Sequence, residues 1–339
     1  ICAVIMLKEI SLKGFKSFYE ETLDLNGLTI LTGLNSSGKS TVIQALRMLD
    51  RLKRKHKHLL PGYGGWKELH NEGWNKDIEI EAMDDADKAY KLEIKEDSHT
   101  GNVDESFPHL IYISAHRNGP LVNIPVYVND DEPDEFGNNV LKSIDDHRSD
   151  VVNPILKRDG WIGNTLELVL KEWMKIITPS VEFDFKMVPE ADLSYALYNG
   201  HRAKNVGFGL SYALPVITAL LLGTVVKNSV VIIENPEAHL HARAQTEMAE
   251  LIARSVKAGA QIIVETHSDH LFDGIRYFVK VIPGFENQMT CYWFHLDDEK
   301  NTDWDVIKLN DKGRICNVEI PKGFCDQFEF NARRMLGLS

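Results

Sequence analysis

The sequence predicts an α/β fold with a mainly parallel core sheet, an antiparallel β subdomain and a compact α/β insertion. Three observations lead to this. The apolar run at residues 28–31 enters Gly33-Leu34-Asn35-Ser36-Ser37-Gly38-Lys39-Ser40, after which Val42, Ile43, Leu46 and Leu49 recur at helical spacing. Much later, residues 230–233 and 261–264 form two further runs of core-strand length, separated by an amphipathic stretch at 238–257. Between these regions the chain is mixed and sustains no heptad pattern, so a compact lobe is expected there and a long coiled-coil arm is not.

Taken in order, Leu7, Ile10, Leu12 and Phe15, then residues 22–25, read as strands ahead of the buried run at 28–31. The helix after Ser40 runs into Arg51-Leu52-Lys53-Arg54-Lys55-His56-Lys57-His58 and stops by Pro61-Gly62. Cations there suit a helix C-terminus, and a patch for DNA or a partner is the alternative reading. Residues 78–82 and 91–95 read as a hairpin, 110–114 as a buried strand, 129–139 as an acidic loop and 166–177 as a helix. Residues 210–226 suit a buried helix broken near Pro215, and the tail reads as strands near 289–296 and 306–309 with a short helix after them. The chain thus divides into four segments: 1–50 and 205–288 as the two parts of one head, 51–204 as an inserted lobe, and 289–339 as a C-terminal hairpin and helix.

The chain has 339 residues, 43% of them apolar, enough for a sizeable core. A formal net charge of −12 argues against a polyanion binder on average, while a local basic patch stays open. Cys2, Cys291, Cys316 and Cys325 show no zinc-like spacing and read as free thiols of a reducing compartment. No apolar run approaches the roughly 20 residues that span a bilayer, so a cytoplasmic protein without membrane contact is expected. Residues 1–5 lack a basic leader and a cleavage site, and Met6 is the expected native start.

Gly33 to Ser40 fits G-x-x-x-x-G-K-[ST] in its required strand-to-helix context. Glycines let successive backbone N–H groups of Asn35, Ser36, Ser37, Gly38 and Thr41 curl round phosphates, Lys39 reaches the β/γ oxygens, and the Ser40 hydroxyl faces magnesium. The expected cofactors are therefore ATP and Mg2+. A second metal-side residue should be an acid ending a core strand, and Val230-Val231-Ile232-Ile233-Glu234 supplies Glu234.

The next seven residues, Asn235-Pro236-Glu237-Ala238-His239-Leu240-His241, resemble the E-x-P-E-A-H-L-H run of OLD and related ABC-like ATPases. With the phosphate loop they make the chain similar to the ABC-type P-loop NTPase heads of the SMC, RecF and OLD proteins. The resemblance covers roughly residues 7–50 and 205–271. It implies a glutamate after the strand acid that orients the attacking water. Here Asn235 stands in that place; an amide holds a water but cannot take its proton, so either Glu237 assumes the role or turnover is slow. Gln261-Ile262-Ile263-Val264-Glu265-Thr266-His267 resembles the switch-histidine segment, which gives His267 a contact with the γ-phosphate or the water. Residues 205–211 stand in the place of the signature loop, although LSGGQ itself is missing. By resemblance Gly209 and Ser211 bind the nucleotide of an opposite subunit, which implies a homodimer with ATP sandwiched between heads. The usual Q-loop glutamine is also missing; His116 and Arg117 occupy that region, Arg117 either touching a phosphate or forming a surface salt bridge. His239 and His241 invite a metal reading, but without an evident third ligand a structural or dimer-contact role is preferred.

Three functions compete. The resemblance to prokaryotic defence ATPases of the Septu and OLD kinds, extended by Pro321-Lys322-Gly323-Phe324 and Asp326-Gln327-Phe328, implies an ATP-gated dimer regulating a separate nuclease or toxin. A truncated OLD-like nuclease domain would use Asp297, Asp298, Glu299, Asp303 and Asp305 as metal ligands. A RecF-like DNA clamp would use the basic run at 51–58.

Overall fold

The computed structural model describes residues 5–56, 60–127, 132–325 and 327–336. The chain divides into two compact units, one of residues 7–25, 29–107 and 289–339, the other of 1–6, 26–28 and 108–288.

The first unit opens with β1 (Leu7–Phe15), β2 (Phe18–Asp24) and β3 (Leu28–Gly33), then α1 (Lys39–Lys53), α2 (Trp66–Leu69), β4 (Ile78–Asp84), β5 (Ala89–Ile94) and β6 (His99–Asn102). Five strands form an antiparallel sheet in the order β2-β1-β4-β5-β6. Leu7, Ile10 and Leu12 of β1 are buried on its core side. β2 starts earlier than the apolar pattern at 22–25 suggests, because Lys16, at φ 55, closes a tight turn that sets Phe15 opposite Phe18. Lys57 and His58 of the basic run lie outside the described residues, as does part of the expected acidic loop.

The second unit contains β7 (His109–Ile113), β8 (Ile124–Pro125), α3 (Val140–Asp146), α4 (Leu166–Ile177), β9 (Phe183–Val188), β10 (Leu193–Tyr198) and β11 (His201–Arg202). It continues with α5 (Phe208–Val225), β12 (Ser229–Glu234), α6 (Ala242–Lys257), β13 (Gln261–Glu265) and α7 (Asp269–Val281). β12 lies between β7 and β13 and parallel to both, with Val231 beside Ile111 and Ile262. The central residues of these strands, 110–111, 230–233 and 262–264, are apolar and buried because both faces are covered, as parallel strands require. β10 centres a small antiparallel sheet with β8, β9 and β11.

Two expectations need correction here. α5 is not broken at Pro215 but runs through it. A proline withholds the N–H that the preceding turn would use; Leu214, Pro215 and Val216 are all buried, and the Arg117 Nε donates to Tyr212 O at 3.0 Å in the turn before the proline. α5 is also long and apolar enough to cross a membrane by length and composition, with 67% of it buried inside the fold. α6 begins at Ala242 and not at residue 238, because the turn Ala238 N–H to Asn235 O and Leu240 N–H to Glu237 O intervenes and His241 caps the helix through Arg243 N–H.

The tail returns to the first unit with β14 (Met289–Leu296), β15 (Thr302–Ile307) and α8 (Gln327–Met335). β15 starts before the expected 306–309 because Asp297 closes a short turn, its Oδ1 accepting from the N–H groups of Glu299 and Asn301. β14 pairs with β3 on one side and with β15 on the other.

Candidate nucleotide site

The phosphate loop belongs to the first unit. Gly33 ends β3 at φ 129, and a Cβ there would lie 2.2 Å from Phe294 O, so only glycine lets β14 approach. Leu34, Asn35 and Ser36 are exposed, with Ser36 left-handed at φ 60 and Gly38 at φ 105. Such alternation turns successive amides inward into a concave, anion-binding curve. Ser37 is buried and its hydroxyl donates to Leu34 O at 2.7 Å. Lys39 is 4% exposed, its Nζ donating to Leu34 O at 2.6 Å and Gly33 O at 3.2 Å. Those carbonyls hold the ammonium over the loop, where it can exchange them for phosphate oxygens. Ser40 and Thr41 come next in the first turn of α1, with Thr41 N–H bonded to Gly38 O.

The tail supports this loop through a contact that sequence patterns do not show. Thr302 at the start of β15 donates its hydroxyl to Ser37 O at 3.0 Å, lies 2.7 Å from the Ser17 hydroxyl, and bonds Ser17 O through its N–H. A buried threonine sharing three such bonds fixes the loop's floor.

The acidic half lies in the second unit. Glu234, half-buried at the end of β12, accepts from the Tyr112 hydroxyl and from Ala115 N–H, each at 3.0 Å. Each oxygen retains a second lone pair that can accept a further hydrogen bond. Asn235 stands at φ 46, which asparagine tolerates better than most residues. Its N–H bonds Glu265 O at 2.8 Å, while its buried Oδ1 has no hydrogen-bond partner. Glu237 accepts from His267 N–H at 3.1 Å through Oε1, and its buried Oε2 is likewise unpartnered. Burial pushes the Glu237 carboxyl above the ordinary range, opposed by its own and the His267 amides, the Thr266 hydroxyl and the Arg117 charge. Glu234, Asn235 and Glu237 thus lie at the turn after β12, and His267, which follows β13, meets that turn through its backbone N–H, its side chain being exposed.

Gly209 lies in the first turn of α5, where a Cβ would meet His239 O at 2.8 Å. Phe208 beside it is 61% exposed, and the His239 ring lies 4.2 Å from that of Tyr212. Ser211 Oγ is buried, on the wall of a cavity of about 20 Å³ shared with Tyr198 and Ala203.

Arg117 corrects the sequence reading. It is 2% exposed, so it forms no surface salt bridge, and its guanidinium bonds main-chain carbonyls within its own unit. Tyr112 and Thr302 lie outside every motif, and Thr266, inside the switch-histidine segment, has no role assigned to it by sequence. Among the described residues, no group of three or more His, Cys, Asp or Glu side chains is placed to hold a metal ion, the hairpin acids and His239 with His241 included.

The phosphate loop, the strand acid and the α/β layers define a P-loop ATPase. The chain belongs to the family described as AAA ATPase domain, which matches it over residues 6–159 and 134–272. Its fold is similar to the Smc head domain with an extended coiled coil from Pyrococcus furiosus, solved with the C-terminal domain of ScpA. That likeness has a TM-score of 0.53 and 14% identity over 90% of this chain and 96% of the other. It is also similar to the recombination mediator protein RecF in its RecF-ATPrS structure, with a TM-score of 0.51 and 12% identity over 89% and 98% of the two chains. At these identities the likeness establishes the fold. A 48-residue segment is 48% identical to the DNA replication and repair protein RecF of Crocosphaera subtropica; it spans 14% of this chain and only 13% of that relative.

Proposed function

We propose that this chain is an ATP-hydrolysing switch that pairs with a second copy when ATP is bound and regulates a separate effector protein, a nuclease or toxin, in prokaryotic anti-phage defence. Asn35, Ser36, Ser37, Gly38, Lys39 and Thr41 take the phosphates, and Ser40 and Glu234 are the oxygen donors for magnesium, whose preference for hydroxyl, carboxylate and water oxygens they fit. Magnesium supplies charge neutralisation on the phosphates. Glu237 accepts the proton of the attacking water, Asn235 orients that water, and His267 responds to the γ-phosphate. The observation that carries this reading is the pair of buried, unpartnered acceptors Asn235 Oδ1 and Glu237 Oε2. A buried acceptor left without a donor costs about 1–3 kcal/mol, and a water that donates to it relieves that cost.

The homodimer reading rests on the first turn of α5, where helix-end amides favour a phosphate and Phe208 is exposed. Ser211 contributes its place in that turn, its hydroxyl being buried. Phe208→Glu adds a negative charge at a helix N-terminus, where it is tolerated by the fold, but sets it against the partner's triphosphate. It is expected to leave ATP affinity of the monomer unchanged and to abolish the ATP-dependent rise in mass seen by light scattering; normal dimerisation would refute the assignment.

A RecF- or SMC-like repair ATPase that binds DNA fits the fold equally, and the 48-residue RecF match favours it. Among the cations ending α1, Lys55 and His56 are exposed, while Arg54 pairs with Asp50 and Lys53 donates to Phe107 O. Under this reading, duplex DNA binding falls steeply with salt, and Arg51→Gln with Lys55→Gln flattens that slope by up to about 2. No salt-dependent DNA binding in fluorescence anisotropy would leave the effector reading.

A further inference from the structure

Arg117, in the region of the missing Q-loop ligand, is a buried cation that joins three segments of its unit. Nη1 donates to Glu234 O at 2.9 Å and Ser114 O at 3.2 Å, Nη2 to Asn235 O at 2.7 Å, and Nε to Tyr212 O at 3.0 Å. The guanidinium carbon lies 5.5 Å from the Tyr212 ring. Burial lowers its pKa to about 10, countered chiefly by Glu237, so it stays charged at neutral pH.

Burying a cation is costly, and the cost is recovered only when its donors are satisfied in good geometry. A planar fork held by carbonyls at fixed angles restricts the peptide planes that carry them. Two of those planes, at Glu234 and Asn235, set the left-handed turn that aims Asn235 Oδ1 and Glu237 Oε2. Tyr212 O belongs to the second turn of α5, just beyond Phe208 and Gly209. The same side chain therefore grips the turn that carries the hydrolytic groups and the helix whose N-terminus faces outward.

We infer that Arg117 is a positioning residue that holds the turn after β12 in its hydrolysis-competent geometry and couples that geometry to the start of α5. The inference rests on the ATPase reading above. Arg117→Ala leaves the phosphate loop intact, so ATP affinity stays within about threefold while kcat falls about 100-fold, the size of effect that misplacing a reacting group by an ångström produces. The vacated space admits free guanidinium, which restores part of the lost rate saturably at non-denaturing concentration; methylammonium, a point charge without the fork, does not. Arg117→Lys supplies charge without the planar fork and shows the same loss of kcat at unchanged affinity.

The experiment is steady-state phosphate release and ATP calorimetry on the full chain, wild type and both variants, with guanidinium titration and thermal melts. A folded Arg117→Ala with kcat within threefold of wild type overturns the inference, as does a rate loss that tracks affinity and melting temperature and ignores guanidinium. Should Arg117→Ala not fold, Arg117→Lys decides: wild-type kcat overturns the inference, and loss at unchanged affinity upholds it. A wild-type chain that binds ATP without turning it over sinks the hydrolysis reading itself, whereas an active wild type with an indifferent Arg117 sinks only the positioning role.

Discussion

Lys39→Ala weakens ATP binding by about 100-fold or more, because the ammonium supplies charge-assisted hydrogen bonds to phosphate oxygens worth about 1.5–3 kcal/mol each. At 1.4 kcal/mol per decade, two such bonds exceed that factor. In the structure the ammonium already rests on Gly33 O and Leu34 O, so nucleotide binding exchanges partners at a site whose shape exists beforehand. Binding therefore loses little to ordering the loop, and the lost contacts appear almost fully in the affinity. The fold survives, since Leu34, Asn35 and Ser36 are exposed and water replaces the lysine at the freed carbonyls. Isothermal calorimetry with ATP and magnesium checks the prediction, with a thermal melt of the same sample as the folding control. Unchanged affinity in a folded variant rejects the phosphate-loop assignment.

Legibility in the sequence divides by distance along the chain. The phosphate loop was legible because its chemistry is contiguous: the strand, the glycines at φ 129 and φ 105, the lysine and the helix succeed one another. The helix at 166–177 and the strand at 289–296 were equally legible, each being a periodic or continuous apolar run with clear ends. The supports of the site were not legible. Thr302 reaches Ser37 across 265 positions, and Arg117 reaches Glu234 across 117. No local pattern marks such pairs: a threonine in a hairpin reads as surface, and Arg117 reads as a phosphate contact or a surface salt bridge until the fold encloses it. Arg117 had one usable signal, its place directly after a core strand that proves parallel to β12. Pro215 misled for the opposite reason: proline is a local signal, and the buried environment of α5 overrides it.

Glu237→Gln separates catalysis from stability with opposite signs. Burial raises the Glu237 carboxyl, so the folded chain holds this proton more tightly than the unfolded chain does. Ionisation therefore costs folding free energy: the contribution of this group is most favourable below the ordinary carboxylate value and declines as pH rises through the window up to its raised folded value. Glutamine does not titrate, so the stability of the variant relative to wild type increases across that same window, whatever constant offset the amide introduces. Catalysis moves the other way. A base lifted toward neutral pH is better matched to taking a proton from water than an ordinary carboxylate, and removing a general base lowers rates by about 10²–10⁴-fold. The amide keeps the acceptor for His267 N–H but cannot take a proton, so kcat falls at least about 100-fold with little change in ATP affinity. Denaturation midpoints across acidic to neutral pH, beside phosphate-release rates, test both halves. A variant with near wild-type kcat returns the proton-accepting role to a group other than Glu237. A relative stability that is flat with pH removes the buried, proton-holding carboxyl on which that role depends.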